Sequence, residues 1–208
     1  NGVVELVSNE SEGIIQNSGT IRAMGDDAGE KGGTVHVLGE KVGLFGGEIN
    51  VSGDAGGGTV LIGGDYKGLG SVRNSIAAYV SPEAVINADA LAEGDGGRII
   101  IWSDDSTRVY GSIYARAGAL SGDGGFIETS SKNFLDVANL NLDASAVAGL
   151  PGEWLLDPFN VTITLVASAF GSFSGGSPDI WTPSATGSNI LNTDINTRLN
   201  AGTSVTIN

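Results

Sequence analysis

A repeat of about 27 residues runs through most of the sequence, and it limits the folds open to this chain more than any other feature. Each unit holds a short alternating run beginning with Ile or Leu, followed about ten residues later by a strand-like segment that opens with two glycines. The alternating runs begin at Ile21, Ile49, Ile86, Ile113 and Leu140, and the glycine-led segments at Gly32, Gly57, Gly96, Gly124 and, with Pro for the first Gly, Pro151. A fixed period of this kind is typical of stacked, equivalent coils.

Three short strands per unit, joined by turns rich in Gly, Asp and Ser, indicate a chain that winds around a central core. Successive coils would then pair as parallel strands. A βαβ arrangement would need a helical pattern of roughly ten residues or more between strands, and these intervals do not supply one. A β-sandwich seldom has a fixed period. We therefore expect an all-β, right-handed parallel β-helix of about seven to eight coils, with one loop insertion and one short helix near the C-terminus.

The repeat also predicts the domain organisation. Residues 1–164 are expected to form the β-helix, with residues 67–81 bulging out of it as an inserted loop. Residues 165–188 are rich in Gly, Ser and Pro and predict an irregular loop, and residues 189–208 predict a short helix followed by a strand that continues the β-helix. Local rules conflict with the repeat at Ser81-Pro82-Glu83-Ala84, which has the cap, Pro and acid that favour a helix through Leu91. The repeat predicts a strand there, and we follow it.

The amino-acid composition excludes several kinds of binding partner and chemistry. The net charge is −14, with ten Lys and Arg against 24 Asp and Glu, so nucleic acid and anionic membranes are not expected to bind. No apolar run approaches the roughly 18 residues of a membrane span, so we expect no membrane insertion. The absence of Cys excludes disulfides and thiol nucleophiles. The first residues lack the features of a signal peptide, so any targeting segment is expected outside this chain.

Several blocks of the repeat resemble a known family. They are Gly57-Gly58-Thr59-Val60-Leu61-Ile62-Gly63-Gly64-Asp65-Tyr66, Val85-Ile86-Asn87-Ala88-Asp89-Ala90-Leu91, Gly94-Asp95-Gly96-Gly97-Arg98-Ile99-Ile100-Ile101-Trp102 and Leu155-Leu156-Asp157-Pro158. Together they are similar to the haemagglutination-activity and repeat region of filamentous haemagglutinin-like exoproteins of bacterial two-partner secretion systems. The resemblance covers roughly residues 19–160.

The resemblance implies a β-helix that is secreted or held at the bacterial cell surface, where it adheres to host cells, other bacteria or surfaces through a glycan or another receptor. Exoproteins of this kind carry a secretion domain that a partner outer-membrane transporter recognises. Its Asn-Pro-Asn-type signature does not occur here, so we expect the transporter to be contacted through a domain outside this chain. The family has no catalytic residues in this region.

An enzyme is the first alternative, because β-helices also include enzymes that cleave polysaccharides. Asp104 and Asp105 offer the paired carboxyl groups that glycoside hydrolysis needs. The Gly-His-Gly and Arg-x-Lys motifs of the polygalacturonase type are missing, and His36 lies in an alternating strand where it is expected to face solvent. We therefore expect no enzymatic activity. A spacer that binds nothing and carries a distal tip is the second alternative.

Two sets of residues are candidates for binding. Arg108 and Tyr110 precede the run that contains Tyr114 and Arg116, and if Ile113 points inward these side chains point out, forming a candidate glycan patch. Asp54, Asp95 and Asp123 occupy similar turns in successive units, where stacked carboxylates would favour Ca²⁺. The alternative is that Asp-Gly simply suits a tight turn. No other cofactor is expected.

Overall fold

The fold is a parallel β-solenoid, as the repeat predicts. The computed structural model describes residues 2–157, 161–164, 188–200 and 204–207. Three sheets run along the solenoid, and all their strand pairs are parallel. Five complete coils of about 28 residues each contribute one strand to every sheet.

The strands in chain order are β1 (Val3–Val7), β2 (Ile14–Asn17), β3 (Thr20–Arg22), β4 (Thr34–Leu38), β5 (Lys41–Leu44), β6 (Glu48–Asn50), β7 (Thr59–Ile62), β8 (Ala77–Val80), β9 (Val85–Asn87), β10 (Arg98–Ser103), β11 (Ser106–Val109), β12 (Ser112–Tyr114), β13 (Phe126–Ser131), β14 (Phe134–Asp136), β15 (Asn141–Asp143), β16 (Glu153–Leu156), β17 (Val161–Thr164), β18 (Ser188–Leu191) and β19 (Ser204–Ile207). The helix α1 spans Asn192–Asn200. Sheet A has the order β1-β4-β7-β10-β13-β16-β19, sheet B the order β2-β5-β8-β11-β14-β18-β17, and sheet C the order β3-β6-β9-β12-β15.

The core consists of columns of apolar side chains that stack from coil to coil. In sheet C the column runs through Ile21, Ile49, Ile86, Ile113 and Leu142. Ile49, Ile86 and Ile113 are fully buried, and each such side chain contributes about 1.5–3 kcal/mol through burial. Because side chains alternate between faces, the residues on either side of each column point outward. Ile86 lies in β9, so the strand prediction is confirmed and the competing helix does not form there.

The paired glycines make the corner between sheets C and A. At Gly57 a Cβ atom would overlap the carbonyl oxygen of Ala88 in the next coil. The same overlap recurs at Gly96 with Ala115 and at Gly124 with Ala144. The corner therefore brings two backbones closer than any side chain allows, which explains why the repeat opens with glycine.

The last described segments depart from the simple repeat. β18 lies between β14 and β17 in sheet B, and α1 contacts β15, where a further strand of sheet C would otherwise lie. Ile195 of α1 is buried in the core. β19 then rejoins sheet A beside β16. The predicted short helix and strand are thus confirmed, although the helix begins at Asn192 rather than residue 189.

The remaining boundaries differ from the sequence-based expectations. Residues 165–187 of the predicted loop lie outside the described residues, and Ser188 already belongs to β18. The described residues hold five complete coils, where seven to eight were expected for the whole chain, and one of these five is lengthened between β7 and β8.

The inserted segment folds differently from the prediction. Residues 77–80 are β8 of sheet B, so the insertion ends before them. Residues 65–75, here named the strap, do not bulge away but lie against the outer face of sheet A. Val72 of the strap packs on an apolar cluster of Leu61, Ile100 and Trp102 that is separate from the solenoid core. The strap begins with a 3₁₀ turn at Tyr66–Gly68, capped by the carboxylate of Asp65.

Candidate functional site

The predicted glycan patch is divided between two sheets. Arg108 is outward-facing and exposed on β11, and its guanidinium carbon lies 4.6 Å from the ring centre of Phe134 in the next coil. Tyr110 follows β11, and its hydroxyl donates to Oδ2 of Asp136 at 2.8 Å. Burial, followed by this hydrogen bond, raises the pKa of Tyr110 above its ordinary value. Tyr110 is therefore held in place as a neutral, half-buried ring.

Tyr114 and Arg116 lie on sheet C and just after it. The Tyr114 hydroxyl accepts a hydrogen bond from Nδ2 of Asn141 at 2.8 Å. Arg116 forms an ion pair with the buried Asp89, whose Oδ2 lies 2.6 Å from one guanidinium nitrogen and 3.1 Å from Nε. The backbone N–H of Arg116 also donates to Asp89. This arrangement gives Arg116 a structural role in joining two coils.

An aromatic ridge runs along the outer face of sheet B. It consists of Phe45, Tyr79 and Tyr110, with ring centres 5.1 Å apart for the first pair and 6.0 Å for the second. The rings come from three successive coils, so the ridge runs along the solenoid. Interplanar angles of 37° and 73° show that the rings are tilted against one another rather than coplanar. Phe45 is 44% exposed and presents the most open apolar surface of the three.

A cleft of about 390 Å³ lies where the ridge meets the corner between sheets B and C. Tyr110, Asn139 and Asn141 are among the residues that line it. Asn139 has a φ of 60°, a left-handed conformation that Asn tolerates better than most residues. Of the four predicted patch residues, only Tyr110 lines this cleft, while Tyr114 reaches it through its hydrogen bond to Asn141.

Sequence reasoning missed Phe45, Asp136, Asn139 and Asn141, and placed Tyr79 in a loop. A signal for the ridge was present, because Val42-Gly43-Leu44-Phe45 and the run ending in Tyr110 occupy the same place in their units. The register confirms this: Leu44 pairs with Val80, which pairs with Val109. Position in the repeat therefore locates Phe45 and Tyr110 on the same side of the solenoid.

The three candidate metal-binding aspartates accept backbone hydrogen bonds instead. Asp95 accepts from the N–H of Asp123 at 2.8 Å, and Asp123 accepts from the N–H of Leu150 at 2.7 Å. Asp54 accepts from the N–H of Gly29 at 2.7 Å. Within the described ranges no group of three or more His, Cys, Asp or Glu is placed to hold a metal ion. The geometry thus gives these carboxylates a turn-stabilising role.

Asp104 and Asp105, the carboxylates of the enzyme alternative, lie in the turn between β10 and β11. Asp104 is 2.8 Å from Nζ of Lys132 and accepts from Trp102 Nε1 and Asn74 Nδ2, each at 3.2 Å. Burial alone would raise the pKa of Asp104, but these partners outweigh it and lower the pKa. Asp105 accepts from Asn133 in the next coil. The carboxylates of Asp104 and Asp105 thus both connect this turn to neighbouring segments.

A buried acid under the strap was not foreseen. Glu128 points outward from β13, yet it is fully buried. Its two carboxylate oxygens lie 3.1 and 3.3 Å from the backbone nitrogen of Lys67, which donates to them. Burial raises the pKa of Glu128 to about 7, and hydrogen bonds from Lys67 and the Ser130 hydroxyl only partly offset this. The Lys67 Nζ is 3.2 Å from Asp157.

The sequence of the repeat alone could not reveal this site. An alternating strand predicts that Glu128 is exposed, and the residue that covers it lies 61 positions earlier. The one hint is that an insertion occurs in the repeat two coils before Glu128.

Comparison with known proteins does not extend these observations. No family model matches the sequence, and no curated protein matches it significantly. In the part of the chain that the structure describes, no helix has the length and hydropathy to span a membrane.

Proposed function

We propose that this chain is a β-solenoid segment of an exported bacterial adhesin of the filamentous haemagglutinin type, and that it binds glycans through the outer surface at sheets B and C. The motifs quoted from the sequence support the family. Export through a partner outer-membrane transporter, contacted by a domain outside this chain, belongs to the same proposal. A binding role rather than an enzymatic one agrees with the partners that Asp104 and Asp105 already have.

The aromatic ridge beside the cleft is the observation that carries the binding role. Aromatic faces stack on the apolar faces of sugar rings, while amide groups satisfy the sugar hydroxyls. Phe45 offers an exposed ring, and Asn139 and Asn141 line the cleft at the other end of the ridge, where Nδ2 of Asn141 already donates to Tyr114. The rings are tilted, so they suit a soluble oligosaccharide that bends into the cleft better than a flat, crystalline polysaccharide surface.

Electrostatics narrow the ligand class further. The chain carries a net charge of −14, which repels polyanionic glycans at long range. Near the ridge, Asp136 accepts from Tyr110 and the exposed Arg108 is its neighbour by strand pairing. A neutral or singly acidic oligosaccharide is therefore the ligand we expect.

The test is binding of the labelled chain to an array of neutral and acidic oligosaccharides. Replacing Phe45 or Tyr110 by Ala is expected to weaken binding about tenfold, because each lost stacking contact is worth about 1.4 kcal/mol. Tyr66→Ala serves as the matched control, since Tyr66 is 41% exposed but lies on the strap, away from the ridge. If the unaltered chain retains no oligosaccharide, the adhesive role fails and the spacer becomes the better hypothesis.

A further inference from the structure

We propose that Glu128 and Lys67 form a proton-controlled latch, which holds the strap closed in acidic surroundings and loosens it as the pH rises to neutrality. The latch lies on the outer face of sheet A, apart from the surface of sheets B and C where glycan binding is proposed.

The strap covers apolar surface that would otherwise face water. Ile100 and Trp102 point outward from β10, yet they are 0% and 4% exposed. Val72 packs on them, and Gly68 lies directly against the Trp102 indole. Opening this part of the strap would uncover a patch centred on Trp102, so the position of the strap determines which surface sheet A presents.

The two ends of the strap are fastened by ion pairs and hydrogen bonds that do not involve Glu128. At the first end, Asp65 lies 3.3 Å from Arg98. At the other end, Arg73 pairs with Glu40, and Ser75 donates to the carbonyl oxygen of Gly39 at 2.7 Å. Asn74 donates to the carbonyl oxygen of Gly68 at 2.9 Å.

The middle of the strap depends on Glu128. Lys67 adopts a φ of 53°, a strained conformation for a residue other than Gly or Asn, and its backbone N–H donates to the carboxyl group of Glu128. The Lys67 side chain pairs with Asp157, whose own backbone N–H donates to the Ser130 hydroxyl at 3.1 Å. Lys67, Glu128, Ser130 and Asp157 thus close a ring between the strap, β13 and the end of β16.

The charges around Glu128 do not balance when it is ionised. Along the sheet its neighbours are Ile100 on β10 and Leu155 on β16, both apolar and buried. The strap contributes the cation Lys67, and the end of β16 contributes the anion Asp157. The other charged groups on these elements are the pair of Asp65 with Arg98, the pair of Arg73 with Glu40, the pair of Asp104 with Lys132, and the exposed Glu153, and Tyr66 of the strap is a further titratable side chain. Lys67 therefore faces two carboxylates, and protonation of Glu128 leaves one matched ion pair.

The sign of the effect follows from linkage. The pKa of Glu128 is about 7 under the closed strap, against an ordinary value of 4.5. Opening hydrates the group and releases its proton between these two values. The latch is therefore strongest below pH 4.5, weakens as the pH rises to 7, and changes little above that. The ratio of open to closed strap is expected to rise by up to about tenfold per pH unit in this interval.

Hydrogen–deuterium exchange of the strap at pH 5, 6, 7 and 8, corrected for the intrinsic exchange rate, tests the proposal. The unaltered chain should lose protection at residues 66–72 from pH 5 to 7 and then level off. Glu128→Gln keeps the shape and an acceptor for Lys67 but cannot titrate, so its protection should stay constant. Glu153→Gln, which alters an exposed carboxylate on the neighbouring strand, should leave the response unchanged.

Two results would overturn the latch: equal protection of the unaltered strap at pH 5 and 7, or an unchanged pH response in Glu128→Gln. Should that variant not fold, the carboxyl ¹³C signal of Glu128 in the unaltered chain decides the question. A titration midpoint near 7 supports the proposal, and a midpoint near 4.5 contradicts it.

Discussion

Gly68 of the strap lies against the indole ring of Trp102, so close that a Cβ atom there would stand 2.5 Å from Cε2 of that ring. The φ of Gly68 is +66°, which a residue with a side chain adopts only under strain. Backbone shape and close packing thus both require glycine at this position. The contact brings a segment that interrupts the repeat onto the outer face of sheet A, where it leaves Trp102 only 4% exposed.

Gly68→Ala is expected to destabilise the protein by about 2–4 kcal/mol, because left-handed strain and overpacking against Trp102 add. Urea unfolding followed by tryptophan fluorescence measures the loss. Gly29→Ala is the matched control, since Gly29 has a φ of +80° but nothing within 4 Å of the added atom. We expect it to lose only about 1 kcal/mol. Equal losses in the two variants would show that Trp102 does not resist the added atom.

Ile86→Ala is expected to reduce the free energy of unfolding by about 2–5 kcal/mol, because Ile86 is fully buried between Ile49 and Ile113 in the column of sheet C. Leu120→Ala is the control, as Leu120 is 75% exposed and should change stability by less than about 0.5 kcal/mol. Thermal unfolding followed by circular dichroism compares them. A small effect at Ile86 would contradict the stacked-column core.

Asp89→Ala is expected to destabilise the chain by about 1–3 kcal/mol, because it removes the buried acceptor of both the backbone and the guanidinium of Arg116. Asp123→Ala is a matched control, since Asp123 also accepts a backbone N–H but is exposed. We expect a loss below about 1 kcal/mol there, because water can replace the carboxylate. Chemical denaturation measures the free energy of unfolding of both variants. A larger loss in Asp123→Ala than in Asp89→Ala would contradict the structural role of Asp89.

Acid is expected to weaken the contribution of Asp104. Its folded-state pKa lies below the ordinary value of 3.8, so its stabilisation is present above pH 3.8 and is lost as the pH falls through the folded value. Asp104→Asn should therefore lower the unfolding midpoint at pH 7, with the difference from the unaltered chain narrowing at pH 3. Asp105→Asn, an exposed neighbour, provides the comparison. A difference that is equally large at both pH values would contradict the predicted protonation.

Calcium is expected to leave the unfolding temperature unchanged, because Asp54, Asp95 and Asp123 already accept backbone hydrogen bonds. Differential scanning calorimetry with millimolar CaCl₂, and with EDTA as the reference, measures this. A rise of several degrees that disappears in Asp123→Asn would instead establish the calcium site that the stacked aspartates suggest.

Part of the candidate surface follows from the sequence and part does not. The outward orientation of Arg108 and Tyr110 follows from strand alternation, because Val109 between them is a core residue. Their separation from Tyr114 and Arg116 does not, because a corner between two sheets intervenes. The proximity of Phe45 and Tyr110 requires the register, since these residues are two coils apart along the chain.

The sequence by itself determined how each coil is built, with its core positions and its glycine corner. Every coil makes the same contacts with the next coil, and these contacts produce the period, the alternating runs and the paired glycines. The position of Ile86 or Gly57 in the repeat therefore predicts where each residue lies in its coil. The tertiary structure alone decided which of the outward-facing side chains are buried. Glu128 is buried although its strand pattern exposes it, because burial of an outer face depends on whatever distant segment packs there. The strap is such a segment, and its place follows from the fit of Gly68 and Val72 to the Trp102 surface rather than from any periodic rule.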